Sequence, residues 1–506
     1  MLKVPWIAVE RFAAVGQAIR PRLPRPTKAA TSTTAERLIF NKAGDVSRLT
    51  TVEQSAAMGL KLFRAVPWLA GCVVAGCVGY HPAPLARAPS LQTSLSELNR
   101  HLPGGGVISV EGPLTMQSVA SLAVLNDPDL AAARAQHGVA AAELLGAGLP
   151  PDPSITGGFE ALLGGPASMP AITGGLAQDV SAIITYKPAR AAAKAGLQQV
   201  DAGILWQEWQ VAAQAELLCI SLAGDEQTIA SLNTEQSLLS SINMAVQQQM
   251  AADNLTLTDS TASATALAGN AAAVNAATQA YAHDRDQLTA LLGLAPGTRL
   301  TLAAPDVAPI APAVVKQAMA TLAQRRPDLI ALRYGYTQAD ETLRAAILSQ
   351  FLPVSLGASG GRDTSGVTSA GPQITLTLPV FNHNRAGIQA AGATRAVLAA
   401  QYTASLDGAA GAAQALQIAI TQLAHEAGAA DGAAAQARQT AAAARHAYGA
   451  GQLDARAAAD LLTAAGDRER EAISLRVQLQ TAELSLATML GIGLPPLPGP
   501  DQEPTP

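Results

Sequence analysis

The chain has 506 residues, of which 49% are apolar and only 3% are aromatic. This apolar fraction excludes general disorder, and a formal net charge of −5 offers no basic face for nucleic acid. Three cysteines are too few for a disulfide framework. Because alanine is abundant, we expect closely spaced helices that pack through small side chains.

An export signal is predicted at residues 58–77, where Lys61 and Arg64 precede a short apolar run. The run has the length of a signal peptide and is too short to cross a bilayer. Cys72 and Cys77 each follow an aliphatic residue, an alanine and a glycine, which resembles the lipobox of bacterial lipoproteins. Both remain candidates for lipidation, and the alternative is that they are ordinary buried cysteines.

Beyond this signal, similar segments recur along the chain. Pro-Asp-Leu begins a predicted helix at Pro128 and again at Pro327, and Leu292-Gly293 matches Leu490-Gly491 at a spacing of 198 residues. Asn254-Leu255 matches Gln452-Leu453 at the same spacing. Two matches with one spacing indicate an internal duplication.

Each copy has the same predicted order: a helix, two strands and a long proline-free helical segment. Asp129 and Asp328 lie in the first turns of the two short helices, where a carboxylate suits the helix dipole. Alternation of Ile374, Leu376 and Leu378 with threonines is typical of a strand. The predicted short helices are residues 130–149 and 329–351, the strands 154–163, 176–186, 353–362 and 371–380, and the proline-free segments 189–295 and 380–494.

The proline-free segments are predicted to fold back as helical hairpins. A single helix of about a hundred residues would be ~150 Å long, which is improbable without a partner. In the second copy Gly449 and Gly451 permit a reversal through positive φ, and in the first copy Asp253 and Asn254 take the turn role. The spacing of Leu475, Leu479, Ala482, Leu486 and Met489 is that of a coiled-coil seam.

These features together resemble the outer-membrane efflux protein (TolC-like) family, in its lipoprotein branch that serves resistance-nodulation-division (RND) pumps. The resemblance covers about residues 114–494. The stretches that carry it are Pro-Asp-Leu at 327–329, FLPVSLGASGG, ITLTLPVFNHNR, Tyr448-x-x-Gly451-x-Leu453-Asp454, and the closing ATMLGIG.

The resemblance implies a mainly α fold with a small β part, built from two tandem repeats of a short helix, a β-hairpin and a long coiled-coil hairpin. It implies a homotrimer whose twelve strands form one β-barrel above an α-helical periplasmic tunnel. The implied function is a passive outer-membrane exit duct, anchored to outer-membrane lipid. The implied partners are a periplasmic adaptor (membrane fusion) protein and an inner-membrane RND-type pump.

The resemblance also assigns roles to residues near the hairpin turns. Tyr448 and Asp460 match positions that hold the periplasmic aperture closed. The turns lie farthest from the membrane, so they are the expected docking points for the adaptor. The tip residues are Asp253, Asn254, Gly449, Gly451, Leu453 and Asp454.

The expected division of the chain follows from these assignments. The segments are an upstream segment (1–57), the signal peptide (58–77), a linker (78–113), a first repeat (114–300), a second repeat (301–495) and a tail (496–506). The upstream segment is interpreted as the result of a start codon assigned too early.

The residues around two enzyme-like motifs argue against an enzymatic function. Gly357-Ala358-Ser359-Gly360-Gly361 matches a nucleophile elbow, but a loop and another strand follow it instead of a helix. His425 has no second histidine at zinc-helix spacing, so no metal or cofactor is expected. Cys219 is interpreted as a small packed residue. Trp206 and Trp209 are interpreted as residues of core packing or of a protomer contact, and substrate stacking is the weaker alternative. The remaining functional alternative is a structural periplasmic coiled-coil lipoprotein without channel activity.

Overall fold

The computed structural model describes residues 80–103, 105–161, 163–164, 169–252, 257–351, 354–494 and 499–500. The predicted signal peptide with Cys72 and Cys77, and the tip residues Asp253 and Asn254, lie outside them. The helices and strands given below belong to one of two compact units of the chain, and residues 80–90 of the other have no regular secondary structure.

The order of a helix, two strands and two long helices occurs twice along the described chain. The mainly helical class with a small sheet is confirmed. The elements are α1 (Met116–Asn126), α2 (Pro128–Ala147), β1 (Ser154–Glu160), β2 (Ala171–Asp179), α3 (Ser181–Ala251), α4 (Leu257–Leu291), α5 (Pro312–Ala320), α6 (Leu322–Arg325), α7 (Pro327–Leu348), β3 (Val354–Arg362), β4 (Thr368–Leu376), α8 (Arg385–Gly449) and α9 (Ala455–Met489).

Three predicted strands differ from the observed ones by more than one residue at an end. The strand expected at 154–163 is β1, which ends at Glu160. The strand expected at 176–186 is β2, which ends at Asp179, and Ser181 already begins α3. Asp179 Oδ1 accepts hydrogen bonds from the N–H and hydroxyl of Ser181, and a carboxylate here suits the helix N-terminus. The strand expected at 371–380 is β4, which ends at Leu376 opposite Val354. Tyr186, which the predicted strand included, therefore lies in α3.

The four strands form one antiparallel sheet in the order β1-β2-β3-β4. The central pairing, β2 with β3, joins a strand of the first half of the chain to one of the second. Within the described residues, β1 and β4 each keep one edge without a partner strand.

Equivalent apolar cores lie where α4 and α9 end. Leu292, after α4, is fully buried among residues of α1 and α3, and Leu490, after α9, is fully buried among residues of α5, α7 and α8. Each is followed by a glycine in the left-handed region, Gly293 with φ of 70° and Gly491 with φ of 61°. The matching sequence positions therefore occupy matching structural positions.

The turn between α8 and α9 is made by one of the two glycines predicted for it. Gly451 has φ of 70°, and its N–H donates to Tyr448 O at 3.0 Å while the N–H of Gln452 donates to Ala447 O at 2.8 Å. This is a Schellman motif, which requires the left-handed conformation at one residue only. Gly449 is the last residue of α8 and does not have positive φ, so the role predicted for it is wrong.

Helix α3 of the first hairpin packs directly against α9 of the second. A Cβ at Gly224 of α3 would collide with Val477 of α9, and a Cβ at Gly466 of α9 would collide with the Glu235 carboxylate of α3. Glu235 is 5% exposed and forms an ion pair with Arg470 of α9 at 2.6 Å. The two glycines thus permit the close contact of the hairpins. No helix in the described part of the chain is both long and apolar enough to span a membrane.

We predict opposite effects for the same change at two helical glycines. Gly224→Ala should lower stability by about 1–3 kcal/mol because the new methyl group overpacks the contact with Val477. Gly428→Ala on α8, where a Cβ would meet no atom within 4 Å, should raise stability by up to about 1 kcal/mol. Thermal unfolding of the purified protein measures both, and adding Val477→Ala should relieve the first defect. Stabilisation by both single changes would contradict the close contact.

Candidate functional site

One face of the sheet is apolar and exposed. Side chains of paired residues lie on the same face of an antiparallel sheet, so Leu176 of β2 shares a face with Ile155 of β1 and Ala358 of β3. The pairs Phe159–Ile172 and Leu356–Ile374 lie on this face too. Seven of its apolar side chains are more than one third exposed: Ile155, Phe159, Ile172, Leu176, Leu356, Ile374 and Leu376. A contiguous apolar patch of this kind is typical of contact with lipid or another protein.

The opposite face is small and polar. It carries one cross-strand row of Thr156, Gly175, Ser359 and Gly371, and a second row of Gly158, Thr173, Gly361 and Ser369. The threonine hydroxyls stand over the opposing glycines, since a Cβ at Gly158 would lie 2.6 Å from Thr173 Oγ1 and a Cβ at Gly175 2.9 Å from Thr156 Oγ1. This face therefore presents hydroxyl groups and open space, as the wall of an aqueous passage does.

Ser359 does not have the surroundings of a nucleophile. It lies inside β3, paired with Gly175 on one side and Gly371 on the other. A nucleophile elbow needs a sharp turn from a strand into a helix. The G-x-S-x-G match therefore reflects the small-residue face of the sheet.

The described tip of the second hairpin is built on a small apolar cluster. Ile242 and Val246 of α3 pack with Ala458 and Leu462 of α9, and the ring of Tyr448 covers them. Burial raises the pKa of the Tyr448 phenol. Its hydroxyl has no hydrogen-bond partner within the described residues, which leaves it available to a group from outside them.

Asp460 lies on the exposed side of α9. Its carboxylate forms neither a hydrogen bond nor an ion pair within the described residues, so it is not bonded to the Tyr448 hydroxyl in a single chain. Leu453 packs on the tip cluster, and Asp454 caps α9 by accepting a hydrogen bond from the N–H of Ala457 at 2.8 Å. These two tip residues therefore fix the turn geometry.

Arg326 is a structural residue that the sequence patterns did not reveal. Its guanidinium lies 4.8 Å from the centroid of the Trp206 ring, pairs with both carboxylate oxygens of Asp328 and donates to Met489 O at 3.2 Å. Trp209 Nε1 donates to Thr488 O at 2.9 Å. Both tryptophans therefore hold the C-terminal end of α9 against α3, which fits the packing role expected of them.

Two acids on α3 are held at unusual pKa values. Burial raises the pKa of Glu216 to about 7. Burial, and then the charge of Asp284, raise the pKa of Asp225 to about 6. Burial, and then the charge of Glu216, raise the pKa of Cys219 to about 12, so this residue is a packed thiol. Within the described ranges, no three His, Cys, Asp or Glu side chains gather as metal ligands do.

We predict that stability falls as pH rises from about 4 to about 7. Over this range the folded protein keeps protons on Glu216 and Asp225 that the unfolded chain, with ordinary values of 4.5 and 3.8, has released. Glu216→Gln with Asp225→Asn should raise the melting temperature at pH 8 and flatten its pH dependence. Asp407→Asn, at an exposed position on α8, is the matched control. An unchanged pH profile in the double variant would show that these acids titrate normally.

Comparisons with known proteins identify the fold. No family model and no curated protein matches the chain. A membrane protein from Pseudomonas aeruginosa is 20% identical, with 82% of this chain and 100% of that chain covered at a TM-score of 0.63. The Campylobacter jejuni CmeC outer membrane channel is 15% identical (82% and 94% covered, TM-score 0.63). The outer membrane protein VceC from Vibrio cholerae is 17% identical (74% and 96% covered, TM-score 0.62).

The chain therefore has the fold of outer-membrane channels. The resemblance to the TolC-like family, which was drawn from short sequence motifs, is confirmed at the level of the fold.

Proposed function

We propose that the chain is the outer-membrane component of a tripartite efflux system, a passive exit duct for small molecules delivered by an inner-membrane pump through a periplasmic adaptor. The observation that carries this proposal is the sheet, with one apolar face, one small polar face and two edges that have no partner strand in the described part of the chain. A strand edge in lipid must be paired. Pairing β4 of one copy with β1 of the next satisfies both edges.

Three copies close this arrangement. Each contributes four strands, and twelve strands form a barrel with the apolar face toward lipid and the hydroxyl-bearing face toward the lumen. The helical hairpins then form the periplasmic tunnel, with residues 114–300 and 301–495 as its two repeats. Similarity to solved outer-membrane channels supports this assembly.

A structural periplasmic coiled-coil lipoprotein is the alternative. Such a scaffold needs the helices and has no use for an amphipathic sheet. The exposed apolar face would then have to be covered in another way.

Planar-bilayer recording should separate the two functions. We expect discrete conductance steps from the purified protein, and light scattering of the detergent-solubilised protein should give the mass of a trimer. Phe159→Lys on the apolar face should reduce membrane insertion by placing a charge in lipid. Thr156→Lys on the opposite face is the matched control and should be inserted with altered ion selectivity. A stable monomer with no conductance would refute the channel.

Lipid anchoring at Cys77, or otherwise at Cys72, completes the proposed topology. Val78 or Val73 would then follow the modified residue, with no aspartate to retain the protein in the inner membrane. Mass spectrometry of the mature N-terminal peptide should find an acylated cysteine, and Cys77→Ala should abolish it if Cys77 is the site. A mature chain that begins near Met1 without lipid would be incompatible with this assignment.

The hairpin turns are the proposed docking points of the adaptor. They comprise Asp253 and Asn254 in the first hairpin, and Gly449, Gly451, Leu453 and Asp454 in the second. The support comes from the turn of the second hairpin, which follows the end of the 65-residue helix α8 that is farther from the sheet.

The proposed gate consists of Tyr448 and Asp460. In an assembled tunnel the hydroxyl of one and the carboxylate of the other remain free for contacts between helices, because neither has a partner within the described chain. An uncompensated ring of carboxylates in a narrow pore also repels anions.

Tyr448→Phe with Asp460→Ala should raise single-channel conductance and sensitise cells to large antibiotics. The first change removes only the hydroxyl, because a phenyl ring can still cover the tip cluster. Asp407→Ala, an exposed acid on α8 far from the tip, should leave both measurements unchanged. Normal trimer levels with unaltered conductance in the double variant would place the gate elsewhere.

A further inference from the structure

Arg362 places a charge on the apolar face of the sheet. It is the last residue of β3 and pairs with Ile172 of β2 and Thr368 of β4, so these three side chains share a face. Ile172 in turn pairs with Phe159 of β1, which puts all four side chains in one cross-strand row. Within the four described strands, no other residue on this face is charged. The apolar face therefore carries a single charge, and it lies at one end.

That end of the sheet is the one farther from the long helices. The connections from β1 to β2 and from β3 to β4 lie there, whereas α3 follows β2 after Asp179 and α8 follows β4 after Leu376, at the opposite end. A charge on the lipid-facing side of a strand is costly at the membrane midplane and costs little at the interface with water. Arg362 therefore occupies a position that suits the boundary of a membrane.

The guanidinium of Arg362 forms no ion pair within the described residues. Its Nη2 donates to Met169 Sδ at 2.9 Å, and a thioether sulfur is only a weak acceptor. Residues 161–170, which connect β1 to β2, contain no charged residue that could approach it. The side chain is exposed, so its remaining N–H groups are accessible from outside the chain.

The two acids nearest to this end of the sheet are directed elsewhere. Glu160, the last residue of β1, lies on the opposite, polar face. The carboxylate of Asp363 accepts hydrogen bonds from the N–H groups of Ser365 and Val367 within its own turn. The positive charge of Arg362 is therefore left for an anion that does not belong to these strands or their described turn.

The apolar neighbours of Arg362 restrict what that anion can be. Phe159 is 68% exposed and Ile172 is 55% exposed, both in the same row as the guanidinium. A suitable ligand brings apolar surface to these two side chains and a negative group to Arg362. A lipid with a phosphate in its headgroup has both, and the planar guanidinium fork matches two phosphate oxygens.

We propose that Arg362 binds the phosphate of a phosphorylated lipid in the outer leaflet of the membrane, with Phe159 and Ile172 against the acyl chains of that lipid. The inference rests on the proposed function, which turns the apolar face toward lipid and the helices toward the periplasm. It assigns a lipid-binding role to the outer rim of the sheet.

A second copy of this chain and a free phosphate ion are poorer occupants. Copies of the sheet would join through β1 and β4, whereas Arg362 belongs to β3, which already has a partner strand on each side. A free phosphate ion would leave Phe159 and Ile172 exposed to water. The combination of one charge with an apolar row therefore favours a lipid.

The test compares two lipids that differ only in phosphate. Full-length protein in a neutral detergent is mixed with diphosphoryl lipid A or with the same lipid A after removal of its phosphates, and native mass spectrometry counts the lipids bound per chain. We expect the phosphorylated lipid to bind about tenfold more tightly, because hydrogen bonds to charged groups are the stronger ones. Equimolar inorganic phosphate should not displace it, and displacement would reassign the site to a free anion.

Three variants locate the preference. Arg362→Gln should bind both lipids equally, and Arg362→Lys, which keeps the charge without the planar fork, should retain part of the preference. Arg456→Gln, at an exposed arginine of α9 next to the hairpin turn, removes the same charge far from the sheet and should leave the preference unchanged. Equal binding of both lipids by the unaltered protein, no binding, or a preference that persists in Arg362→Gln would overturn the proposal.

Planar-bilayer recording of the same preparations keeps the two proposals separate. A protein that conducts without preferring the phosphorylated lipid refutes the lipid site alone. A protein that prefers this lipid through Arg362 and never conducts refutes the channel and retains the sheet as a membrane-binding surface.

Discussion

The contact between α3 and α9 is the constraint on which the arrangement of the helices depends. It joins the two hairpins directly, through a glycine on each helix and the ion pair between the buried Glu235 and the partly buried Arg470. Breaking one partner of such a pair leaves an uncompensated buried charge, which costs far more than the pair itself gains. Because α9 packs on both α3 and α8, the same contact keeps those two helices apart and leaves a cavity of about 620 Å³ between them.

Small side chains allow the close contact of the helices, and they also shape one face of the sheet. Glycines on its polar face accommodate the threonine hydroxyls opposite them, so this face has little bulk and no charge along the rows of Thr156 and Thr173. The large apolar side chains lie on the other face, since successive side chains of a strand point to opposite faces. The small residues that allow the helices to pack closely therefore also give the sheet one face suited to water, and the large apolar residues give it one suited to lipid.

Much of this fold could be predicted from spacing and turn chemistry. The match of Leu292 with Leu490 locates two equivalent helix ends, and Gly451 locates the turn of the second hairpin. Local patterns failed where a distant partner decides the outcome. The limits of β2 depend on its pairing with β3, and Arg326 acts through Trp206 and Met489, which lie far away in the sequence. Neither the strand limit nor the contacts of Arg326 can be predicted from a short window of sequence.

The two hairpins are alike in their order of elements and unlike in charge. From Ala195 to Asp284 the chain contains no lysine or arginine, whereas α9 alone carries four arginines. An ion pair between the hairpins in this region must therefore join an acid of α3 to a base of α9, as Glu235 and Arg470 do. Arg476 follows the same rule in a weaker form, donating to Gln227 of α3 at 3.5 Å. Pairing the first hairpin with a copy of itself in this region would leave Glu235 without a lysine or arginine partner, so the charge distribution favours contact between unlike hairpins. The arginines of α8 form no ion pair with α3 within the described residues.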